Sequence, residues 1–178
     1  MADQTLLQKL FISKGFSDYC WIDPREIVTA QWVRMKYMFG CDFYGSASCP
    51  TDIPSLDDCR VFFDEYRLGT LFHLSQSFND PEELRIWSRD AKRALLELER
   101  SVCLSGYHKT FLLFMDSCNL CRECAGSRAA CRNKKLARPC PEGMGVDLFA
   151  TVSKYGYTLD CPENNERSLD RYAILLIE

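Results

Sequence analysis

The sequence predicts an α/β or α+β fold in which helices flank a central sheet and two cysteine-rich metal-binding loops project from it. Segments with helical spacing alternate with short apolar segments along the 178 residues, which is typical of a sheet covered by helices. A hydrophobic fraction of 47% and a charged fraction of 26% are those of an ordinary globular chain. The length predicts a single domain over residues 1–178, with no internal repeat.

The first half of the chain is predicted to hold two helices and two or three strands. Apolar residues at helical spacing in 4–15 predict an amphipathic helix. Residues 18–22 predict a strand, and the alternating and aromatic residues of 27–38 predict one or two more. Ser55 opens the sequence S-L-D-D, in which the hydroxyl caps free amides and an acid stands at the third helical position. A helix is therefore predicted over 56–66.

The second half of the chain begins with a strong helix start. Asp80 and Pro81 precede two glutamates, which places proline in the first turn and acids near the positive end of the helix dipole. This helix is predicted to run to about Val102. Shorter apolar or amphipathic segments predict the remaining elements, namely strands over 69–76, 109–115 and 171–177 and a helix over 144–154.

The eleven cysteines are the feature that bears on function. A chain of this length buries a sufficient core without disulfides, and an odd number of cysteines argues against a closed disulfide framework. Residues 1–15 lack the apolar stretch and cleavage site of a signal peptide, and no apolar run approaches the ~20 residues that span a bilayer. We expect a soluble, cytoplasmic protein without a membrane partner, in which reduced cysteines bind metal.

The second cysteine loop, at about 116–142, contains the sharpest motif. Cys118, Cys121 and Cys124 are separated by two residues each, so a tight loop can present three thiolates to one [4Fe-4S] cluster. We expect Cys131 to be the fourth ligand because its six-residue spacer can double back, with Cys140 as the alternative. Zinc is the alternative metal, although zinc sites more often use two separate cysteine pairs or histidines, and the chain has only two histidines.

The first cysteine loop, at about 39–54, carries Cys41 and Cys49. A second cluster is possible there, but two cysteines cannot hold it without further ligands. The remaining cysteines are not expected to bind metal. Cys20, Cys59 and Cys103 are predicted to be small apolar core residues. Cys161 is predicted to be exposed and not to ligate metal.

Basic residues are concentrated between Cys118 and Cys140, where six arginines and lysines accompany the single acidic Glu123. Such charge stabilises an anionic cluster and attracts an acidic redox partner protein. Nucleic acid is not an expected partner because the whole chain carries a formal charge of -3. The sequence does not indicate an oligomeric state.

A set of short motifs extends from about Val33 to Thr151. The motifs are Val33-Arg34-Met35-Lys36, Gly40-Cys41, Tyr44-Gly45, Cys49-Pro50, Pro54, Glu65-Tyr66, Gly106-Tyr107, the run from Cys118 to Cys124, Cys131-Arg132, Arg138-Pro139 and Gly145-Val146-Asp147. Together they resemble a family of predicted metal-binding proteins, domain of unknown function 2284. The resemblance implies an iron–sulfur or other metal site and no particular activity.

The chain departs from the family at the first loop. Family members usually have cysteine where this chain has Tyr37, a second proline where it has Thr51, and serine where it has Cys140. The loss at 37 and the gain at 140 are compensatory if the two loops meet in space. Otherwise Tyr37 or a nearby cysteine takes the vacant position, or the first site is empty.

These observations predict an iron–sulfur protein that transfers single electrons to a partner enzyme, since no acid–base constellation accompanies the cysteines. One alternative is an enzyme whose cluster has three cysteine ligands and an open iron for substrate or sulfide, which the tyrosine at position 37 favours. A second alternative is a structural Zn2+ site that only fixes the loops.

Overall fold

The computed structural model describes residues 2–78, 80–159 and 168–178. These residues form five α-helices and a four-stranded antiparallel sheet of order β1-β2-β4-β3, which confirms the mixed α/β class. The elements are α1 (Gln4–Ser13), β1 (Tyr19–Ile22), α2 (Gln31–Gly40), α3 (Leu56–Asp64), β2 (Gly69–Ser77), α4 (Pro81–Leu104), β3 (Phe111–Leu113), α5 (Leu148–Ser153) and β4 (Ser168–Leu176). No helix within the described ranges has the length and apolarity needed to cross a membrane.

The paired halves of the two central strands, residues 69–72 and 172–176, are buried on both faces because each face of the sheet is covered there. Side chains of successive strand residues point to opposite faces. Leu71 and Ile174 belong to the cluster that includes residues of α3 and α5. Their neighbours Phe72 and Leu175 belong to the cluster that includes residues of α1 and α4. The sheet is therefore the middle layer between two sets of helices.

The two helix starts predicted at Ser55 and Asp80 are present in the structure. Ser55 and Asp58 form a capping box at the start of α3, with each side chain paired to the other residue's backbone N–H. The carboxylate of Asp80 accepts N–H groups at the start of α4, and Pro81 occupies the first turn. Helix α4 ends at Leu104, two residues beyond the predicted end.

The prediction of strands in 27–38 is wrong, because Gln31–Gly40 forms helix α2. The aromatic residues suggested strands, but Val33 is the only β-branched residue of this helix. Its glutamine, methionine, arginine and lysine residues favour helices. Val33 and Tyr37, four residues apart, lie on one face and are both buried.

Two other elements are shorter than predicted. The strand expected over 109–115 comprises only three residues and pairs with β4 on one side. The chain then leaves the sheet, and Phe114 N donates a hydrogen bond to Pro139 O at 2.8 Å. The second cysteine loop thus begins and ends beside β3.

The helix expected over 144–154 begins only at Leu148. Gly145 has a φ of 81°, a left-handed conformation that does not continue a helix. The carboxylate of Asp147 then accepts a hydrogen bond from Ala150 N and caps α5.

Candidate metal centre

The two cysteine loops meet in space. The first connects α2 to α3 and the second leaves β3, and Arg128 N of the second donates to the Asp52 carboxylate of the first at 2.8 Å. The Ser48 hydroxyl hydrogen-bonds the Cys118 sulfur. The backbone N–H of Ala47 hydrogen-bonds the Cys124 sulfur. Residues of the first loop therefore contact two of the cysteines of the second, Cys118 and Cys124.

The four cysteines with the predicted cluster spacing line one cavity. Cys118, Cys121, Cys124 and Cys131 enclose a volume of about 20 Å³ together with residues of the first loop. That volume holds roughly one water-sized sphere. Among the residues that the structure describes, no group of three or more Cys, His, Asp or Glu side chains is already arranged around an ion. The four cysteines therefore line one cavity, but their sulfur atoms are not arranged at metal-ligand distances from a common point.

The sulfur atoms around this cavity accept hydrogen bonds from nitrogen donors. Asn133 Nδ2 donates to Cys121 Sγ at 3.0 Å. The backbone N–H of Ala47 is the largest of several causes that lower the pKa of Cys124, and the charge of Arg132 adds to them. Burial has the opposite effect on Cys118, whose pKa is raised. Because the thiolate is the metal-ligating form, these donors favour the state that binds metal.

A buried lysine of α4 fixes the start of the second loop. The Lys92 side chain is fully buried and forms an ion pair with Asp116. Its ammonium also donates to Ser88 Oγ at 2.8 Å, Ser117 O at 2.8 Å and Asn119 Oδ1 at 3.1 Å. Burial lowers the pKa of Lys92, and Asp116 opposes this shift. The lysine therefore contacts the residues on both sides of Cys118, through the backbone carbonyl of Ser117 and the side-chain oxygen of Asn119.

Arg89, one turn before Lys92 on α4, contributes a second cation. Its Nε donates to Asn119 O at 3.3 Å, within the segment between Cys118 and Cys121. Its Nη2 is buried and has no hydrogen-bond partner among the described residues. An unpaired guanidinium N–H beside a cysteine loop is consistent with a nearby anionic group.

The sequence analysis missed both Lys92 and Arg89. A signal was available, since Lys92 stands on the buried stripe of α4 with Ser88, Leu95 and Val102. A lysine in such a stripe predicts a buried partner.

A second group of sulfurs lies around Tyr37. The Tyr37 hydroxyl is 2.9 Å from Cys49 Sγ, 3.5 Å from Cys140 Sγ and 3.1 Å from Ser117 Oγ. Ser117 Oγ is in turn 3.8 Å from Cys41 Sγ. Cys49 and Cys140 are buried, and burial raises the pKa of Cys140 and of Tyr37. Positions 37 and 140 are therefore neighbours.

The two alternatives for the fourth ligand of the cluster occupy different places. Cys131 lines the cavity with Cys118, Cys121 and Cys124, whereas the described lining of that cavity does not include Cys140. Cys140 packs instead with Tyr37, Cys49 and Cys41.

The other cysteines lie outside both groups, and all ten described cysteines are free thiols. Cys59 is buried as expected, whereas Cys20 and Cys103 are only half-buried. Cys161 lies outside the described residues. His73 bonds the carboxylates of two aspartates in the sheet region, at 2.7 Å to Asp18 and 2.9 Å to Asp170.

The donor set of the four-cysteine cavity fits a thiolate-ligated, anionic metal group. Thiolates select zinc, copper(I) or iron–sulfur clusters over oxygen-preferring metals. Hydrogen bonds to the sulfurs and buried cations nearby stabilise such a group. Here Asn133, Ala47, Lys92 and the unpaired N–H of Arg89 supply them.

A family model described as predicted metal-binding protein (DUF2284) matches residues 20–177. The chain belongs to this family. The matched DUF2284 region contains both cysteine loops, and it confirms the resemblance drawn from the motifs. Neither curated proteins nor solved structures gave a match. DUF2284 membership supports metal binding and specifies neither the metal nor its chemistry.

Proposed function

We propose that this DUF2284 protein binds a [4Fe-4S] cluster through Cys118, Cys121, Cys124 and Cys131 and transfers single electrons to a partner protein. The observation that carries the proposal is the shared cavity of these four thiols. Their spacing of two residues, twice repeated, is the pattern that presents three thiolates to one cluster.

A bound cluster supplies reversible one-electron chemistry, and the residues of the chain set the conditions for it. The amide of Asn133 and the backbone N–H of Ala47 hydrogen-bond the ligating sulfurs. Lys92 places a buried positive charge near Cys118. Because reduction adds negative charge, these groups stabilise the reduced state and raise the reduction potential.

The surface beside the cavity is suited to an acidic partner. Most of the basic side chains of the second loop are exposed, namely Arg122, Arg128, Arg132, Lys134 and Lys135. Arg138 is less available to a partner protein, because its guanidinium forms an ion pair with the buried Glu99 at 2.8 Å. Exposed charge of one sign speeds the association with a partner of opposite charge.

The partner proposal is tested by the rate of electron transfer to an acidic ferredoxin. The variant K134E/K135E is expected to lower this rate severalfold at low salt and to weaken its salt dependence. K9E, which reverses one charge at an exposed position of α1, is the control for a change of charge elsewhere on the surface. Equal rates in both variants contradict an acidic partner at this surface.

The cluster proposal is tested on anaerobically purified protein. We expect the broad visible absorption of an iron–sulfur cluster, which bleaches on reduction with dithionite and gives an electron paramagnetic resonance signal. C121A is expected to lose this absorption. C103A is the matched control, because Cys103 lies near the end of α4 and outside both loops. Protein without the absorption, or C121A with undiminished absorption, contradicts the proposal.

The size of the cavity favours a second candidate, a structural zinc site. A volume of about 20 Å³ is that of roughly one water-sized sphere, so it matches a single ion once the four thiols move to ligand distance. Zinc bound by four thiolates would hold the second loop to the first and would transfer no electrons. About one zinc per chain without inorganic sulfide selects this candidate.

A further inference from the structure

The residues around the Tyr37 hydroxyl form a group separate from the four-cysteine cavity. We call it the tyrosine–thiol group and define it as Tyr37, Cys41, Cys49, Ser117 and Cys140. It combines the end of α2, the first cysteine loop and both ends of the second. Two thiols, those of Cys49 and Cys140, thus contact the phenol directly, and Ser117 links the phenol to the thiol of Cys41.

We propose that the tyrosine–thiol group is a second iron site, with Cys41, Cys49 and Cys140 as thiolate ligands and the Tyr37 oxygen as the fourth donor. The proposal deepens the iron–sulfur function proposed above but assigns a different set of ligands. Three thiolates select a thiophilic metal, and a phenol oxygen is a known ligand of iron in proteins.

The hydrogen bonds at Cys49 favour metal ligation over inert packing. Ser46 Oγ donates to Cys49 Sγ at 3.2 Å, and the Tyr37 hydroxyl lies 2.9 Å from the same atom. Hydrogen bonds from neighbouring groups to cysteine sulfurs are a feature of thiolate-ligated metal sites. An apolar core thiol does not need two hydroxyl groups around it.

The scaffold holds these donors in place before any ligand binds. Tyr37 lies in the last turn of α2, and Cys41 is the C-cap residue, whose backbone N–H donates to Tyr37 O at 3.1 Å. Ser117 is held by its carbonyl to the Lys92 ammonium at 2.8 Å. Cys140 follows Pro139, whose carbonyl accepts the hydrogen bond from Phe114 N at 2.8 Å. Such support from packed elements is what a precise ligand set requires.

An open cavity gives access to the group. It has a volume of about 300 Å³, and Tyr37 and Cys41 form part of its wall. Trp32 and Phe149 lie at the same cavity and are both partly exposed. A metal site needs an entry path, and this cavity reaches the group at Tyr37 and Cys41.

The test uses the full chain in which the four-cysteine site is disabled by C121S/C124S. This variant is reconstituted anaerobically with ferrous iron and sulfide, and bound iron is measured after gel filtration. We expect it to retain iron, and we expect an added C41S or C49S to lower the bound iron at least tenfold. Adding Y37F is expected to remove the visible phenolate-to-iron(III) band after oxidation, because only the hydroxyl is lost.

Thermal unfolding shows whether each variant is folded, and C41S changes a half-buried position that tolerates serine better than Cys49 does.

The outcomes separate the two proposals. A folded C121S/C124S variant that binds no iron overturns the second site and leaves the first proposal standing. Iron that is lost with C41S but not with C121S/C124S overturns the first proposal and supports the second. Iron retained after C41S and C49S together, or a visible spectrum unchanged by Y37F, shows that the tyrosine–thiol group is not the ligand set.

Discussion

Replacing Lys92 with methionine tests whether the buried ammonium stabilises the second cysteine loop. The lysine side chain is fully buried, whereas its partner Asp116 is 33% exposed. Methionine has a similar length and removes only the charge and the donors. The change leaves the acceptors on Asp116, Ser117 and Asn119 without their shared donor.

The expected cost follows from these contacts. Hydrogen bonds to a charged group contribute about 1.5–3 kcal/mol each, and breaking a fully buried ion pair costs about 3–5 kcal/mol. Water can resolvate the exposed part of Asp116, and methionine avoids the desolvation of an ammonium, so both effects reduce the cost. We therefore expect K92M to lower the free energy of unfolding by about 2–3 kcal/mol.

Urea denaturation followed by circular dichroism measures this difference. K9M is the control, since Lys9 is exposed on α1, and it is expected to change the unfolding free energy by less than about 0.5 kcal/mol. The double variant K92M/D116A gives the coupling energy of the pair. A K92M protein as stable as K9M, or additive effects in the double variant, would refute the reasoning.

Two further predictions concern the fold. G145A is expected to lower the unfolding free energy by more than G15A does, and by about 1–3 kcal/mol, because both glycines have positive φ but only at Gly145 would a Cβ overlap a leucine methyl group of α3. Equal urea midpoints for the two variants count against this. Burial lowers the pKa of His73, but its hydrogen bonds to Asp18 and Asp170 outweigh this effect and raise the pKa overall. Its contribution to stability is therefore present below the unfolded pKa of about 6.5 and is lost as the pH rises through the higher folded pKa. The stability difference between wild type and H73Q is expected to shrink from about pH 6 to pH 9, and a constant difference contradicts the assignment.

Local signals in the sequence predicted much of the fold. The helix starts at Ser55 and Asp80 depend on a few neighbouring residues, so the sequence alone indicates them. The prediction of one or two strands in 27–38 was wrong because aromatic residues fit strands and buried helix faces equally well. The short extent of β3 depends on the loop that returns to Pro139, which no local pattern reveals.

In the candidate site, too, the sequence indicated what depends on local spacing but not what depends on packing between distant segments. The spacing of Cys118, Cys121 and Cys124 indicated a common site, and the structure places these residues with Cys131 at one cavity. The placement of Cys140 beside Tyr37 depends on how the two loops pack, so it could not be derived from spacing.

The most direct test of the central claim is the amount of iron, inorganic sulfide and zinc per chain in anaerobically purified wild type and C121S/C124S. A [4Fe-4S] cluster on the four-cysteine group predicts that about four iron and about four sulfide atoms per chain disappear in the variant, with little zinc in either protein. About one zinc per wild-type chain, without inorganic sulfide, would contradict the claim.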